Sequence, residues 1–165
     1  MAGADPGTSG APRFAADRML GRLARWLRIL GHDVAYGSHL GGRALLACAR
    51  GEGRILLTRD TRIGRREKLP AHVFLLSDDF REQLRQVAAA FPIGGRGFLT
   101  RCLDCNRPLD ATPREAVRER VPAFVWATTT DFRACAACGR LYWPATHRAH
   151  MLRELAALGL AEHAA

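Results

Sequence analysis

The stretch that decides the fold is Arg54-Ile55-Leu56-Leu57-Thr58-Arg59-Asp60. Its centre, residues 55–57, is apolar and shows no polar alternation. A run of this kind is typical of a strand that helices cover on both faces. Gly51 and Gly53 stand just before it, so we predict that a helix ends there and that the strand ends at Asp60.

Toward the N-terminus, predicted strands and helices alternate. Residues 13–16 predict a short first strand that runs into Asp17, residues 33–36 predict a second strand, and residues 43–50 predict a second helix. Between the two strands, a helix is predicted from Arg18 to a stop at Gly31. Its apolar residues recur at three- and four-residue spacing and are Met19, Leu20, Leu23, Trp26, Leu27 and Leu30.

Toward the C-terminus, residues 73–76 predict another strand, and a helix capped by Ser77 or Asp78 continues to about Phe91. This alternation indicates parallel β-α units and an α/β domain of three layers. We assign residues 13–93 to that domain. Residues 1–12, rich in glycine, alanine and proline, are predicted to form a flexible tail.

Four of the five cysteines form two pairs, Cys102-x2-Cys105 and Cys135-x2-Cys138. Two residues between cysteines let both sulfurs reach one metal ion, and two such pairs complete a tetrahedral site that suits structural zinc. We predict a zinc ribbon over residues 98–150, with a strand within residues 121–130, and a C-terminal helix or tail over residues 151–165. A redox dithiol or two unrelated pairs are the alternatives.

Residues around the cysteine pairs have further interpretations. Asn106 and Gly139 each follow a pair, and both residue types tolerate the turn that such a pair needs. Trp126 and Trp143 predict either base stacking or packing within the ribbon. His147 and His150 are interpreted as residues of a solvated helix face, because the four cysteines already complete the site.

The chain is strongly basic, with a formal net charge of +9. Residues 14–100 hold 15 Arg/Lys against 8 Asp/Glu, so most of the surplus lies in the first part of the chain. A basic domain indicates a polyanionic partner such as nucleic acid, whereas a GC-rich genome would also enrich arginine. The arginines of the first helix, either phosphate contacts or a solvated face, are Arg18, Arg22, Arg25 and Arg28.

Composition also limits the compartment. No run of 18 apolar residues predicts a membrane span, and the N-terminus lacks the basic and apolar regions of a signal peptide. Cysteines without such a signal indicate the reducing cytoplasm. Cys48, which lies among alanines and leucines, is interpreted as a buried small apolar residue.

Acidic residues follow three of the predicted strands. Asp17 follows the first strand, Asp60 follows residues 55–58, and Asp78 and Asp79 follow residues 73–76. Because ligands gather at the carboxyl ends of parallel strands, these carboxylates could hold Mg²⁺ or Mn²⁺ for phosphodiester hydrolysis. The alternative is that each aspartate caps the helix that follows it.

Several motifs resemble those of the Mut-seven C-terminal RNase domain family, which is PIN-like. Residues 17–33 (DRMLGRLARWLRILGHD) resemble its opening, and residues 53–60 (GRILLTRD) resemble its second signature. The ribbon matches as well, in residues 101–106, 108–109, 121–122, 135–139, 142–144 and 147. The resemblance covers nearly the whole chain after Arg13.

The resemblance implies a PIN-like nuclease fold joined to a zinc ribbon, which cuts or binds RNA with a divalent metal. Asp17 and Asp60 would be metal-holding carboxylates, and Asp78 or Asp79 would add a further one. Arg59, beside Asp60, joins the arginines expected to contact RNA. By analogy with PIN-like domains, a homodimer is possible.

One stretch departs from the family pattern. Members usually carry acidic residues between the second strand and the second helix, whereas residues 38–43 read Ser-His-Leu-Gly-Gly-Arg and contain no carboxylate. His39 would be either a substitute ligand for Mn²⁺ or a surface residue. Two functions therefore compete: a divalent-metal-dependent ribonuclease, and an RNA-binding module that has lost catalysis and keeps a structural zinc ribbon.

Overall fold

Four parallel strands form the sheet around which the first part of the chain folds. The structure, a computed structural model, describes residues 11–64, 68–93, 97–144 and 146–160. The strands are β1 (Phe14–Ala16), β2 (Val34–Ala35), β3 (Ile55–Thr58) and β4 (His72–Phe74), in the order β2-β1-β3-β4. The run predicted as the central strand lies between β1 and β4, with Phe14 opposite Ile55.

Helices cover both faces of this sheet. A 3₁₀ turn (Arg18–Leu20) leads into α1 (Gly21–Ile29), and α2 (Arg43–Gly51), α3 (Thr61–Gly64) and α4 (Phe80–Ala90) follow. Successive strand residues point to opposite faces. Phe14 and Leu57 therefore pack with α1 and α4, whereas Ala15 and Leu56 pack with α2. The predicted three-layer α/β fold is confirmed.

Details of this α/β unit, residues 11–93, differ from the prediction. Met19 is 63% exposed and does not belong to the apolar face of α1, because it lies in the 3₁₀ turn before that helix. Strand β4 ends at Phe74, and Leu76 is 79% exposed. The N-cap of α4 is Asp79, whose side chain accepts a hydrogen bond from the N–H of Arg81, so the predicted caps Ser77 and Asp78 are wrong.

The ribbon, residues 101–144, is built on a second sheet that is antiparallel. Its strands are β5 (Asp110–Thr112), β6 (Phe132–Ala134) and β7 (Leu141–Tyr142), in that order. The strand predicted within residues 121–130 is wrong, because Ala123–Thr128 forms helix α5 directly after Pro122. Proline is pre-organised for the first turn of a helix, and the indole of Trp126 donates to the carbonyl of Arg114, which fixes the helix in place.

The last helix, α6 (Thr146–Ala157), returns to the α/β unit. Leu155, Leu158 and Leu160 are buried in the same core as α1 and α4, and Glu154 pairs with Arg81 at 2.7 Å. The helix thus crosses the predicted boundary at residue 150. His150 is exposed, as expected. The side chain of His147 and most of the predicted tail, residues 1–10, lie outside the described residues.

No helix among the described residues is long and apolar enough to cross a membrane.

Candidate functional site

The four cysteines of the ribbon converge on one point. Their sulfur atoms all lie within 4.8 Å of one another, and Cys102 Sγ lies 3.8 Å from Cys138 Sγ. A tetrahedron with metal–sulfur bonds of about 2.3 Å has edges of about 3.8 Å. The quartet therefore has the spacing of a tetrahedral site and can hold a metal ion such as zinc. The alternative of two unrelated pairs is excluded.

Two matching turns present these sulfurs. The N–H of Asn106 donates to the carbonyl of Cys102, and the N–H of Gly139 donates to the carbonyl of Cys135. Asn106 and Gly139 have φ angles of 62° and 70°. This is the left-handed region, which glycine and asparagine adopt most readily. The turn geometry expected at both positions is confirmed.

Hydrogen bonds prepare Cys102 to act as a thiolate. Burial raises the pKa of its thiol, but hydrogen bonds from the Tyr142 hydroxyl and from the N–H groups of Cys105 and Asp104 lower the pKa to about 6. A thiolate is the form that ligates a metal. Four thiolates leave no open coordination position, so the centre suits a structural role.

The first of these turns is attached to the α/β unit by the side chain of Arg28. Its Nη1 donates to the carbonyls of Leu103 and Asp104 at 2.7 and 3.0 Å, and its Nε and Nη2 donate to the carbonyl of Val34 at 3.2 and 2.7 Å. Arg28 is only 4% exposed. The surface contact with RNA predicted for Arg28 is therefore wrong, because the guanidinium is used to join two parts of the fold.

Asn106 and Asp33 add a second attachment. The amide oxygen of Asn106 accepts from the N–H of Val34 at 2.9 Å, and its amide nitrogen donates to Asp33 at 2.7 Å. Asp33 also pairs with Arg54 at 2.6 Å. The first cysteine turn, residues 102–106, is called the metal-binding turn below. It is thus hydrogen-bonded to Asp33 and Val34, where the chain passes from α1 into β2.

A separate acidic cleft lies at the carboxyl ends of β1 and β3. Asp17 is 5% exposed. Its Oδ1 accepts from the N–H of Met19 at 2.8 Å, and its Oδ2 accepts from the Thr58 hydroxyl at 2.7 Å and the N–H of Arg59 at 2.8 Å. The role of Asp17 as cap of the following turn is confirmed, and the same side chain also holds the end of β3.

Asp60 lies on the other side of Thr58. The Thr58 hydroxyl oxygen accepts a hydrogen bond from the N–H of Asp60 at 3.0 Å, so one hydroxyl connects the two acidic residues. The carboxylate of Asp60 is 22% exposed and pairs with Arg62 at 3.0 Å. Hydrogen bonds from Arg62 lower the pKa of Asp60 below its usual value.

The cleft between these residues has a volume of about 670 Å³, within the range of typical ligand pockets. Arg18, Arg59 and Arg62 line it together with Asp17 and Asp60, so positive charge exceeds negative charge by one. The Nε of Arg59 is buried and has no hydrogen-bond partner within the described part of the chain. The cleft thus places two carboxylates next to three guanidinium groups.

Other predicted site residues lie elsewhere. Asp78 and Asp79 do not line the cleft, and Asp79 caps α4 instead. Among the described residues, the cysteine quartet is the only group of three or more potential metal ligands, so the carboxylates do not converge as a set of three. His39 is exposed and lies against Gly37, outside the lining of the cleft.

The other three arginines predicted to contact RNA, in the 3₁₀ turn and in α1, also differ from one another. Arg18 lines the cleft beside Gly41. Arg22 lies 4.4 Å above the ring of Phe80, and Arg25 is exposed.

Sequence reasoning missed Met19, Thr58 and Arg62 as residues of the cleft region. Thr58 lies two residues before Asp60, and Arg62 lies two residues after it. This proximity in sequence could have identified both as neighbours of the predicted metal ligand.

One comparison with known proteins gives a match. The family model of the Mut7-C RNAse domain matches residues 12–155, which include both the acidic cleft and the ribbon. The comparison with curated proteins and the comparison with solved structures each gave no significant match.

Proposed function

The chain belongs to the Mut7-C RNAse domain family, and on that basis we propose that the acidic cleft is the active site of a divalent-metal-dependent ribonuclease. The observation that carries this proposal is the meeting of Asp17 and Asp60 at one cleft lined by three arginines. Carboxylates are the ligands that Mg²⁺ and Mn²⁺ prefer, and arginines bind phosphate. Metal-dependent cleavage of an RNA backbone uses both, the carboxylates for the metal ion and the arginines for the phosphates.

The carboxylates retain capacity for a metal ion. An ionised carboxylate has about four lone-pair sites, and the described donors use three on Asp17 and three on Asp60. Arg62 supplies all three at Asp60, one from its backbone N–H and two from its guanidinium, and its side chain is 88% exposed. Mg²⁺ is commonly held by one or two carboxylates with water and substrate phosphate completing its shell. Two carboxylates therefore suffice.

Each residue of the cleft has a distinct task in this proposal. A bound divalent ion would supply an activated water and would neutralise charge on the scissile phosphate. Asp17, buried and held by three donors, fixes the end of β3 and with it the position of Asp60. Arg59 and Arg18, which line the cleft, orient the RNA backbone by bonding phosphate oxygens.

The test is cleavage of labelled single-stranded RNA by the purified chain. We expect cutting by the zinc-loaded chain with added Mn²⁺ or Mg²⁺ and no cutting when neither ion is added. Cleavage that is the same with and without added Mn²⁺ or Mg²⁺ would refute the role of the divalent ion, and cleavage that is unaffected by Asp17→Asn would refute the assignment of the cleft as the active site. Because Asp17 is buried, its variant needs a circular dichroism spectrum that matches the parent chain.

The competing function is RNA binding without catalysis. The observation that favours it is the pairing of Asp60 with Arg62, together with the absence of a carboxylate in residues 38–43. Such a module would bind RNA with a steep salt dependence and with the same affinity in the presence and in the absence of Mg²⁺. Affinity that requires the divalent ion would favour the ribonuclease.

We also propose a cellular compartment and a partner for this activity. Thiolate ligands survive in a reducing compartment, so we place the protein in the cytoplasm with RNA as its partner. A homodimer stays a prediction, which sedimentation of the purified chain at several concentrations tests.

A further inference from the structure

A second pocket lies where the ribbon meets α6. It has a volume of about 120 Å³, and Phe98 and Trp143 contribute its aromatic lining. That volume equals roughly four water molecules at liquid density and is well below that of pockets for drug-sized ligands. The pocket therefore fits one planar ring rather than a whole ligand, as when a polymer inserts one of its units.

The lining consists of groups that stack. Trp143 packs against the buried Phe132 with ring centroids 6.4 Å apart, which holds its indole in place. The guanidinium of Arg148 lies 5.6 Å from the centroid of Phe98, and Arg148 is exposed. Aromatic rings and arginine planes are the two surfaces on which unpaired bases of single-stranded RNA stack.

The charges at the pocket favour a base over a phosphate. Asp131 lines the pocket and pairs with Arg133 at 3.6 Å, so these two charges offset each other. The carboxylate of Asp131 repels a phosphate but can accept hydrogen bonds from the edge of a neutral base. The positive charge of Arg148 is then available to a phosphate of the RNA next to the bound base. The net charge of +9 on the whole chain favours a nucleic acid over a peptide as the polymer.

The backbone at the pocket is held in an uncommon conformation. Leu99, which also lines the pocket, has a φ of 54°, and its N–H donates to the carbonyl of Ile29 at 2.8 Å. Non-glycine residues in the left-handed region carry strain and are often found at binding sites. This hydrogen bond also places the pocket at the C-terminal end of α1, whereas the acidic cleft adjoins its N-terminal end.

We propose that this pocket receives one base of the single-stranded RNA whose backbone lies in the acidic cleft. The inference rests on the proposed function for the class of substrate. Helix α1 has nine residues, or roughly 14 Å at 1.5 Å per residue. At an axial rise of about 3.4 Å per nucleotide, this equals about four stacked nucleotides. The pocket thus binds a base that lies several nucleotides along the RNA from the cleavage site.

The experiment measures RNA affinity of the zinc-loaded chain by fluorescence polarisation without added Mg²⁺ or Mn²⁺, with labelled uridine oligonucleotides of four and twelve nucleotides. Catalysis is absent under these conditions, so binding is separated from cleavage. The variants are Arg148→Ala and Trp143→Leu, with Trp143→Phe as the conservative change. Arg153→Ala is the matched control, because Arg153 is an exposed arginine of the same helix that does not line the pocket.

Stacking of one base contributes roughly 5- to 150-fold in affinity. We expect Trp143→Leu to lose that factor for the twelve-nucleotide RNA, Arg148→Ala to lose about fivefold or more, and Trp143→Phe and Arg153→Ala to lose less than about twofold. The four-nucleotide RNA should show little difference between the variants. Tryptophan fluorescence quenched by the longer RNA should be reduced in Trp143→Phe.

Two results would overturn the inference. One is equal affinity of the parent chain, Arg148→Ala and Trp143→Leu for the longer RNA, and the other is no RNA binding by the parent chain. Because Trp143→Leu could disturb the ribbon, Arg148→Ala decides the matter if the former fails to fold. If the parent chain cleaves RNA but the parent chain and both variants bind it equally, the pocket does not bind a base and the proposed active site still stands.

Discussion

Replacing Arg28 with alanine tests how the metal-binding turn is joined to the α/β unit. The guanidinium of Arg28 makes four hydrogen bonds to three carbonyls, two of which belong to the ribbon. Hydrogen bonds from a charged group contribute about 1.5–3 kcal/mol each, but bonds that share one side chain are not additive. Burial lowers the pKa of Arg28, and removing this buried charge recovers part of its desolvation free energy.

Counting about 1.0–1.3 kcal/mol for each of the three carbonyls left without its donor gives a loss of roughly 3–4 kcal/mol in the free energy of unfolding. For a chain of this length, each kcal/mol corresponds to about 2–4 °C in melting temperature. Arg28→Ala should therefore melt about 6–16 °C below the parent chain. Arg28 is buried and donates hydrogen bonds to two carbonyls of the ribbon, whereas Arg25 is exposed.

The assay is urea and thermal unfolding in the presence of zinc, followed by circular dichroism, with Arg25→Ala as the matched control. Surface substitutions of this kind change stability by less than about 0.5 kcal/mol. Amide hydrogen exchange should increase at residues 33–35 and 103–106 in Arg28→Ala. Destabilisation below about 1 kcal/mol, or exchange unchanged at both segments, would refute the role assigned to Arg28.

Three further predictions concern metals and pH. Removing zinc with a chelator, or changing Cys138 to serine, should lower the melting temperature and should increase hydrogen exchange at residues 33–35, because the metal-binding turn is attached there; unchanged exchange would contradict the coupling. Arg62→Ala should tighten Mn²⁺ binding by about two- to fivefold, since an exposed ion pair of 0–1 kcal/mol no longer competes at Asp60, and isothermal titration calorimetry would show weaker or equal binding if that competition is absent. Burial acts to raise the pKa of Asp33, but hydrogen bonds from Arg54 and Asn106 and the charge of Arg54 lower it overall. Its stabilising effect is then present above about pH 4 and is lost as pH falls through the folded-state pKa. The stability difference between Asp33→Asn and the parent chain should shrink as pH falls below about 4, and urea unfolding across pH 3–7 that shows a constant difference would contradict this.

Local patterns were sufficient for much of the fold. The apolar run at residues 55–57 predicted the central strand, and the spacing of the cysteines predicted the quartet, because both depend on residues close together in sequence. Parallel strands end at one edge, so the acids after β1 and β3 were expected to meet, and they line one cleft. Asp79 was not distinguishable from them, because a cap and a metal ligand have the same residue type at the same kind of position.

Long-range packing accounts for the features that the sequence did not predict. Arg28 has the spacing of a surface arginine, and its ribbon partners are 75 and 76 residues away. The segment around Trp126 has β-forming residues, but the tryptophan lies beneath the guanidinium of Arg114 at 4.1 Å and bonds to its carbonyl, which favours a helical turn. Nothing local indicated that Leu155 of α6 enters the core of the α/β unit.

The most direct test of the proposed active site compares metal-dependent RNA cleavage by the parent chain and by Asp60→Asn. Asp60 is partly exposed, and its exchange for the matching amide changes little besides charge, so the fold should persist. Glu82→Gln, an exposed change on α4, is the control for losing one negative charge. We predict Mn²⁺-dependent cleavage that Glu82→Gln retains and Asp60→Asn loses by at least about 100-fold. Equal cleavage by Asp60→Asn and the parent chain, or no cleavage by a zinc-loaded parent chain that binds RNA, would contradict the assignment.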